Sequence, residues 1–176
     1  EKFFINGASR HSPLNAALSV AASIYCGCPL SNIKKRLKFI DLPERRLAIS
    51  NSLKGSILID DSYNSNPASL KNAVDSFEGL ERKKVCILGD MKELGSDSQK
   101  IHQEMYEYIS ERVDQIFCIG DEWSTCSPNE KQDLSIFENQ DDLYSHLISI
   151  IDKKTILLVK GSRSTRMDLL ADKLKE

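Results

Sequence analysis

The feature that most constrains this fold is an alternation, after about residue 43, of short apolar runs with amphipathic stretches of helical length. Four runs, apolar on both faces, are predicted as strands: 56–60, 85–89, 115–120 and 155–160. The amphipathic stretches are predicted as helices: 67–77, 97–112, 140–151 and 165–175. A run at 47–51 is expected to add a hairpin with the first strand. This alternation predicts an α/β fold, a Rossmann-like, mostly parallel sheet with helices on both faces.

The residues before this alternation read as a short strand and two helices, the first ending near Gly27 and the second, a basic one, at 32–39. We therefore predict two domains, with residues 1–42 as the end of one and residues 43–176 as the other. Leu42-Pro43-Glu44 forms the predicted connector, because proline disfavours helix at the residue before it. We expect this connector to act as a hinge.

Charge and hydropathy exclude several classes of function. The 176 residues carry 24 basic and 26 acidic side chains, a formal net charge of -2, so there is no basic footprint for nucleic acid. The longest apolar run, 14–26, is interrupted by polar residues and too short to span a membrane. We expect no nucleic-acid partner, no membrane insertion and a monomer.

The cysteines and the N-terminus bear on cellular location. The five cysteines are odd in number and irregularly spaced, which argues against a disulfide framework and for a reducing cytoplasm. No second Cys/His pair completes a zinc site with Cys26 and Cys28, so we predict no metal site in this chain. The first residues lack the features of a signal peptide and read as a strand entered midway. We expect the chain to be the C-terminal portion of a longer cytoplasmic protein.

Polar, turn-rich segments follow the predicted strands, where ligands bind in an open parallel sheet. They are D-D-S-Y-N-S-N-P at 60–67, G-D-M-K-E-L-G at 89–95, Gly120-Asp121, and K-G-S-R at 160–163. Within them, Asp61 and Asp90 are suited to ribose hydroxyls or a cation, and Lys160 and Arg163 to a carboxylate or phosphate. None is a nucleophile with an adjacent base, so the pattern favours positioning and electrostatics over covalent catalysis.

Some polar residues have simpler structural interpretations. Asn64 and Asn66 offer donors and acceptors to peptide-like groups, but Asn66 before Pro67 also fits a helix N-cap, and Asp60 fits an Asx turn. Three ring side chains are interpreted as packing or surface residues: His102, His146 and Trp123. The chain contains neither a G-x-x-x-x-G-K-[ST] phosphate loop nor a G-x-G-x-x-G dinucleotide fingerprint.

Together these segments resemble the Mur ligases. The family's D-D-S-Y-N-A-N-P is matched at 60–67 with Ser65 in place of alanine, its L-G-D-M-x-E-L-G is matched in full at 88–95, and its K-G-S-R at 160–163. An earlier G-x-H-N-x-x-N-A-L-A-like stretch lies at 10–18, where Ser12 replaces the usual asparagine after histidine. The resemblance covers nearly the whole chain.

The resemblance implies a three-domain, ATP-dependent ligase that joins D-alanyl-D-alanine to UDP-N-acetylmuramoyl-tripeptide, a cell-wall precursor. In such enzymes ATP phosphorylates the peptide carboxylate and the amine of the dipeptide attacks the acyl phosphate, with Mg²⁺ assisting. Residues 1–42 would end the central ATP-binding domain, whose missing part would hold most of the ATP and Mg²⁺ contacts. Residues 43–176 would form the C-terminal domain.

The resemblance also implies roles for single residues. Those matched to nucleotide contacts are His11, Asn15, Arg45 (or Arg46, one register away), Asp61 and Tyr63. Those matched to substrate contacts are Asn64, Asn66, Pro67, Asp90, Lys160, Ser162 and Arg163, the last three orienting the carboxylate of the dipeptide. Arg45, Asp61 and Asp90 are the catalytic candidates.

Two other interpretations remain open. A sister Mur ligase that adds a single amino acid shares the architecture, although the relative that adds a diamino acid carries a different, Arg-containing loop at 60–67. A binding module without catalysis is the alternative from another class.

Because the phosphate loop and its lysine are absent from these 176 residues, we predict that they do not turn over ATP by themselves. A phosphate-release assay on the purified chain checks this, and turnover above the background hydrolysis of ATP would contradict it.

Overall fold

The computed structural model describes residues 12–38, 44–77, 79–130 and 134–176, and the chain separates into two compact units between Glu44 and Arg45. In the first unit, α1 spans Ser12–Tyr25 and α2 spans Leu30–Leu37. The predicted stop at Gly27 is confirmed: its φ of 81° lets the Gly27 and Cys28 N–H groups donate to carbonyls of the last turn of α1. His11, Leu42 and Pro43 lie outside the described residues.

The second unit is built on one mostly parallel sheet, which confirms the predicted fold class. Its six strands among the described residues are β1 Ala48–Ser52, β2 Ser56–Asp61, β3 Lys83–Gly89, β4 Gln115–Ile119, β5 Leu134–Phe137 and β6 Thr155–Lys160. β1 pairs antiparallel with β2, which confirms the predicted hairpin, and the other pairs are parallel. Strand β5 was not predicted from the sequence. It is a four-residue, half-exposed edge strand, too short for a clear apolar pattern.

Helices cover both faces of this sheet. They are α3 Pro67–Asp75, α4 Ser98–Ser110, α5 Asp121–Ser124, α6 Gln140–Ile150 and α7 Met167–Leu174. Helices α3 and α4 contribute Leu70 and Met105 to one apolar layer, and α6 and α7 contribute Leu147 and Leu170 to the other. Each apolar strand therefore has a buried partner surface on both sides. Across the described ranges, no helix combines the length and apolar character needed to cross a membrane.

The strand order β1-β2-β6-β3-β4-β5 places the last strand of the chain between β2 and β3. In this arrangement Lys160, the last residue of β6, is in register with Asp61 on one side and with Leu88 on the other. The loops that follow β2, β3 and β6 therefore leave the sheet side by side. This order brings the three sequence motifs together.

Two glycines allow the ends of β3 and β6 to approach the start of α7. A Cβ placed on Gly161 would lie 2.6 Å from Thr165 Oγ1 and 3.0 Å from the Gly89 Cα, and one on Gly89 would lie 2.5 Å from the same Oγ1. Thr165 Oγ1 donates to the Ser162 carbonyl at 2.6 Å. The turn after β6 is therefore packed without room for another methyl group.

We predict that Gly161→Ala lowers the free energy of unfolding by about 1–3 kcal/mol, because the added methyl group overlaps Thr165. Trp123 is the single tryptophan of the sequence and is fully buried in the second unit, so its fluorescence during urea denaturation measures the effect. In a Thr165→Ala background the same substitution should cost less. Equal costs in both backgrounds would contradict this explanation.

Candidate functional site

The neighbouring carboxylates Asp60 and Asp61 at the end of β2 lie on opposite faces of the sheet, because successive side chains of a strand alternate. Asp60 is fully buried on the α7 side, where its Oδ1 accepts from the Ser62 N–H and hydroxyl and its Oδ2 accepts from Lys175 Nζ at 2.9 Å. This confirms the Asx-turn interpretation of Asp60. Asp61 is left as the carboxylate that faces the polar loops.

Asp61 forms a buried ion pair with Lys160. The Lys160 side chain is 2% exposed, and its Nζ lies 2.5 Å from Asp61 Oδ2 and 2.8 Å from the Asn64 carbonyl oxygen. The second carboxylate oxygen, Asp61 Oδ1, accepts from the Leu47 N–H at 3.1 Å. The ammonium predicted to bind substrate is therefore used inside the protein, where it holds the loop after β2.

Burial dominates the ionisation of this pair. It raises the pKa of the Asp61 carboxyl above its ordinary value and lowers the pKa of the Lys160 ammonium, in each case against the attraction of the partner. A charge held this way depends on its counter-ion, because an isolated buried charge is strongly destabilising. The pair therefore fixes the position of the loop after β2, because Lys160 must stay in contact with Asp61.

Ser162 connects the loop after β3 to the same strand end. Its N–H donates to the Asp90 carbonyl at 3.0 Å, and its Oγ accepts from the Lys92 N–H at 2.8 Å. The same hydroxyl lies 3.5 Å from the Ser65 carbonyl oxygen. Lys160 and Ser162, two residues apart, thus set the distance between the 60–67 and 89–95 segments.

Asp90 is buried under its own loop. Its Oδ2 accepts from Lys92 Nζ at 2.9 Å, an interaction that raises the pKa of the Lys92 ammonium. A Cβ on Gly120 would lie 2.2 Å from the Asp90 carboxylate, so that glycine is needed for the carboxylate to fit. Asp90 is 3% exposed, whereas the Lys92 side chain remains half exposed at the rim.

An open groove of about 520 Å³ lies between these loops. It is lined by Asn64, Lys92, Glu93, Ser162, Arg163, Ser164 and Arg166. Glu93 and Arg166 are non-glycine residues with positive φ, 66° and 52°, a conformation that is uncommon and costs energy. Three cations against one carboxylate make the groove suited to a carboxylate or phosphate group.

Arg45 and its neighbour Arg46 have different surroundings. The Arg45 guanidinium donates to Asp172 Oδ2 at 2.8 Å and to the Asp168 carbonyl at 3.0 Å, which fastens the start of the second unit to α7. Arg46 is exposed, and its guanidinium carbon lies 4.5 Å from the centre of the Tyr63 ring, on the side of Asp61. Of the two arginines between which the sequence left the register open, Arg46 is the more exposed, and which of them contacts nucleotide stays a prediction.

The family described as Mur ligase, glutamate ligase domain, matches residues 45–163. The chain belongs to the Mur ligase family. The resemblance read from the three loop motifs is thereby confirmed, and all three motifs contribute residues to the lining of the groove.

One relative in sequence and two solved structures illustrate what this chain is similar to. A UDP-N-acetylmuramoyl-tripeptide–D-alanyl-D-alanine ligase from Buchnera aphidicola subsp. Acyrthosiphon pisum is 36% identical over 92% of this chain and 36% of its own length. MurF from Acinetobacter baumannii (crystal structure II) superposes with a TM-score of 0.84 at 29% identity, over 97% of this chain and 39% of its own. MurF from Thermotoga maritima in complex with ADP superposes with a TM-score of 0.79 over 98% of this chain and 39% of its own. At 21% identity, this match shows a likeness of fold. The chain spans about two fifths of the length of these proteins.

The structure places the other predicted Mur-ligase site residues in different settings. Tyr63 is 46% exposed, and the next residue, Asn64, lines the groove, where its Oδ1 accepts from the Ser65 N–H. Asn66 is the N-cap of α3, its Oδ1 accepting from Ser69 N–H in a capping box, and Pro67 is the first residue of that helix. Their predicted roles toward substrate stay predictions. Asn15 is exposed on α1 in the first unit.

Four groove residues were not singled out from the sequence: Lys92, Glu93, Ser164 and Arg166. Lys92 and Glu93 lie inside the second family motif, in which lysine occupies the variable position. Arg166 lies three residues beyond K-G-S-R and reaches the groove because a 3₁₀ turn at Arg163–Thr165 redirects the chain. The left-handed conformation of Arg166 carries no signal in the sequence.

The acidic side chains near the loops bear on whether this part of the chain could hold a cation. Within the described residues, no three His, Cys, Asp or Glu side chains are grouped for a metal ion. The carboxylates of Asp61 and Asp90 are each paired with a lysine ammonium. Neither offers the uncompensated oxygen ligands that Mg²⁺ prefers.

We predict that Lys160→Met costs about 3–5 kcal/mol of unfolding free energy, because it leaves the Asp61 carboxylate buried without a cation. Asp61→Asn combined with Lys160→Met should cost less than Lys160→Met alone. As a control, Lys173→Met removes an exposed ion pair with Asp141 and should change stability by less than about 1 kcal/mol.

The pair should also leave a signature in the pH dependence of stability. Since the folded pKa of Asp61 lies above 3.8, the folded chain binds more protons just above pH 3.8 and the unfolding free energy falls as pH rises there. Since the folded pKa of Lys160 lies below 10.5, the unfolded chain binds more protons just below pH 10.5 and stability rises with pH there. The double variant should lose both slopes in urea titrations. Slopes unchanged from the original chain would contradict the assignment.

Proposed function

We propose that this chain is the C-terminal portion of an ATP-dependent ligase that joins D-alanyl-D-alanine to UDP-N-acetylmuramoyl-tripeptide. The observation that carries the proposal is the groove at the ends of β2, β3 and β6, lined by Asn64, Lys92, Ser162, Arg163 and Arg166. All three motifs read from the sequence contribute to it, and a relative 36% identical is a ligase of this specificity.

Within this function the groove binds the carboxylate of the incoming dipeptide. Arg163 presents a guanidinium that matches a carboxylate in two parallel hydrogen bonds, and Lys92 and Arg166 add positive charge around it. Both arginines also contact Asp168, at 3.4 and 3.2 Å, which orients them without neutralising the whole groove. Lys160 holds the loop that carries Asn64, so it acts on the dipeptide through that loop.

The nucleotide belongs on the side of Tyr63, Arg46 and Asp61. A half-exposed aromatic ring under a guanidinium provides a flat surface and a positive charge, which suit a purine nucleotide. His11 and Asn15 would add contacts from residues 1–42, assigned to the central domain, with residues 43–176 as the C-terminal domain. Bound ATP would supply the phosphoryl group that activates the peptide carboxylate.

The residues of this chain contribute positioning and charge. The carboxylates of Asp61 and Asp90 are each paired with a lysine, and the side chains lining the groove include no cysteine or histidine. The dipeptide amine would be aligned by its bound carboxylate, so that the reacting atoms approach in a defined geometry. Water exclusion and Mg²⁺ binding fall to the remainder of the ligase.

The decisive experiment measures phosphate release by the complete ligase that carries this chain, supplied with ATP, Mg²⁺ and UDP-N-acetylmuramoyl-tripeptide. A panel of single amino acids and dipeptides serves as acceptors. We expect release that depends on D-alanyl-D-alanine. Release with a single amino acid alone would identify a sister ligase, and no release with any acceptor would favour a binding module.

We predict that Arg163→Ala raises the KM for D-alanyl-D-alanine roughly 10- to 100-fold, because the dipeptide carboxylate loses one charged hydrogen-bonding partner. The KM for UDP-N-acetylmuramoyl-tripeptide should change little. Arg82→Ala is the matched control, since Arg82 is a partly exposed arginine that donates to the Lys153 carbonyl near the opposite end of β3. Equal kinetics for the Arg163 and Arg82 variants would rule out the groove as the carboxylate site.

A further inference from the structure

The peptide groups on both sides of Asp90 are hydrogen-bonded to two buried ring side chains. His102 on α4 and Trp123 on α5 are both fully buried, and their rings meet edge to face with centroids 4.8 Å apart. Trp123 Nε1–H donates to the Gly89 carbonyl at 3.0 Å, and the Met91 N–H donates to His102 Nε2 at 3.1 Å. Neither ring reaches the groove.

The hydrogen bonds define the state of the His102 ring. Nε2 accepts from the Met91 N–H, so Nδ1 carries the proton and donates to the Ser98 carbonyl at 2.8 Å. Ser98 Oγ in turn donates to Glu122 Oε2 at 2.8 Å, which joins the first turn of α4 to α5. The ring is thereby fixed in one orientation and one tautomer.

The peptide bond between Asp90 and Met91 is consequently held on both sides. Its carbonyl accepts from the Ser162 N–H at 3.0 Å, and its N–H donates to His102. The backbone N–H of Trp123, in addition to its indole N–H, contacts this segment: it lies 3.4 Å from Asp90 Oδ1. Moving either ring would therefore shift Asp90 and the two residues after it, Lys92 and Glu93, which line the groove.

We propose that His102 and Trp123 are positioning residues for the dipeptide groove, acting through the Gly89–Asp90–Met91 backbone. Neither residue touches substrate. Their effect is to fix where Lys92 and the Asp90 carboxylate lie relative to Arg163. The catalytic part of this proposal rests on the function proposed above, whereas its structural part does not.

The test uses three substitutions in the complete ligase. His102→Leu removes the acceptor of the Met91 N–H, and His102→Gln supplies an amide oxygen that can replace Nε2. His146→Leu is the matched control, because His146 is an exposed histidine on α6 that packs on Phe117 and Phe137. We expect His102→Leu to raise the KM for D-alanyl-D-alanine about tenfold or more, as misplacement of a binding group does. His102→Gln should recover most of this loss.

Trp123 is tested in the same way. Trp123→Phe keeps an aromatic ring but removes the donor to the Gly89 carbonyl, and we expect a rise in the same KM. Tyr106→Phe is its control: Tyr106 is a fully buried aromatic in the same apolar layer, and its hydroxyl accepts from the Asn129 N–H. A rise confined to the KM for the dipeptide supports positioning. Equal changes in every kinetic constant, together with a loss of stability, would show that both rings only pack in the core. That result would overturn the proposal.

A second readout keeps the structural part independent of activity. Amide hydrogen exchange on the 176-residue chain should show faster exchange at Met91 and Lys92 in His102→Leu than in the original chain or in His146→Leu. If the ligase shows no dependence on D-alanyl-D-alanine, the proposed function fails and exchange still decides whether the rings hold this backbone. Unchanged exchange at Met91 would overturn the proposal whatever the kinetics.

Discussion

The arrangement of the groove depends on one buried ion pair, between Lys160 at the end of β6 and Asp61 at the end of β2. Burial acts against both charges, so each stays ionised only because the other is in contact with it. The same ammonium also binds the Asn64 carbonyl, which fixes the path of the loop leading to α3. Two residues further on, Ser162 fixes the loop after β3 in the same manner. The central strand of the sheet thus serves as the common support of both loops.

This support separates charges that maintain structure from charges offered to a ligand. Asp60, Asp61 and Lys160 are buried and satisfied within the fold, whereas Lys92, Arg163 and Arg166 line the groove with exposed side chains. A site of this kind works by preorganisation, because its charges are already oriented before a ligand arrives. The groove lining contains no cysteine and no histidine, in agreement with chemistry in which the bond is made between substrates held in place.

Much of the fold could be read from the sequence, since strands buried on both faces leave an unmistakable apolar pattern and alternate with amphipathic helices. The observed helices begin one or two residues later than predicted where a 3₁₀ turn precedes them, as at Gly95–Asp97 and Arg163–Thr165. Strand β5 was missed because four half-exposed residues at a sheet edge give no pattern. For the site, the motifs located the loops, but the burial of Lys160 against Asp61 could not be predicted, because a lysine after a strand does not show in the sequence whether it is buried.

By itself, the sequence determined the α/β class, the family and the three loops at which chemistry is concentrated, because apolar periodicity and motif spacing are local properties of the chain. Only the tertiary structure decided which charges face a ligand. That depends on β6 lying between β2 and β3, on the burial of Lys160 against Asp61, and on the left-handed turn that brings Arg166 to the groove. It also showed that His102 and Trp123, separated by 21 positions in the sequence numbering, hold one stretch of backbone. Contacts between distant residues follow from strand order and packing, which local sequence patterns do not encode.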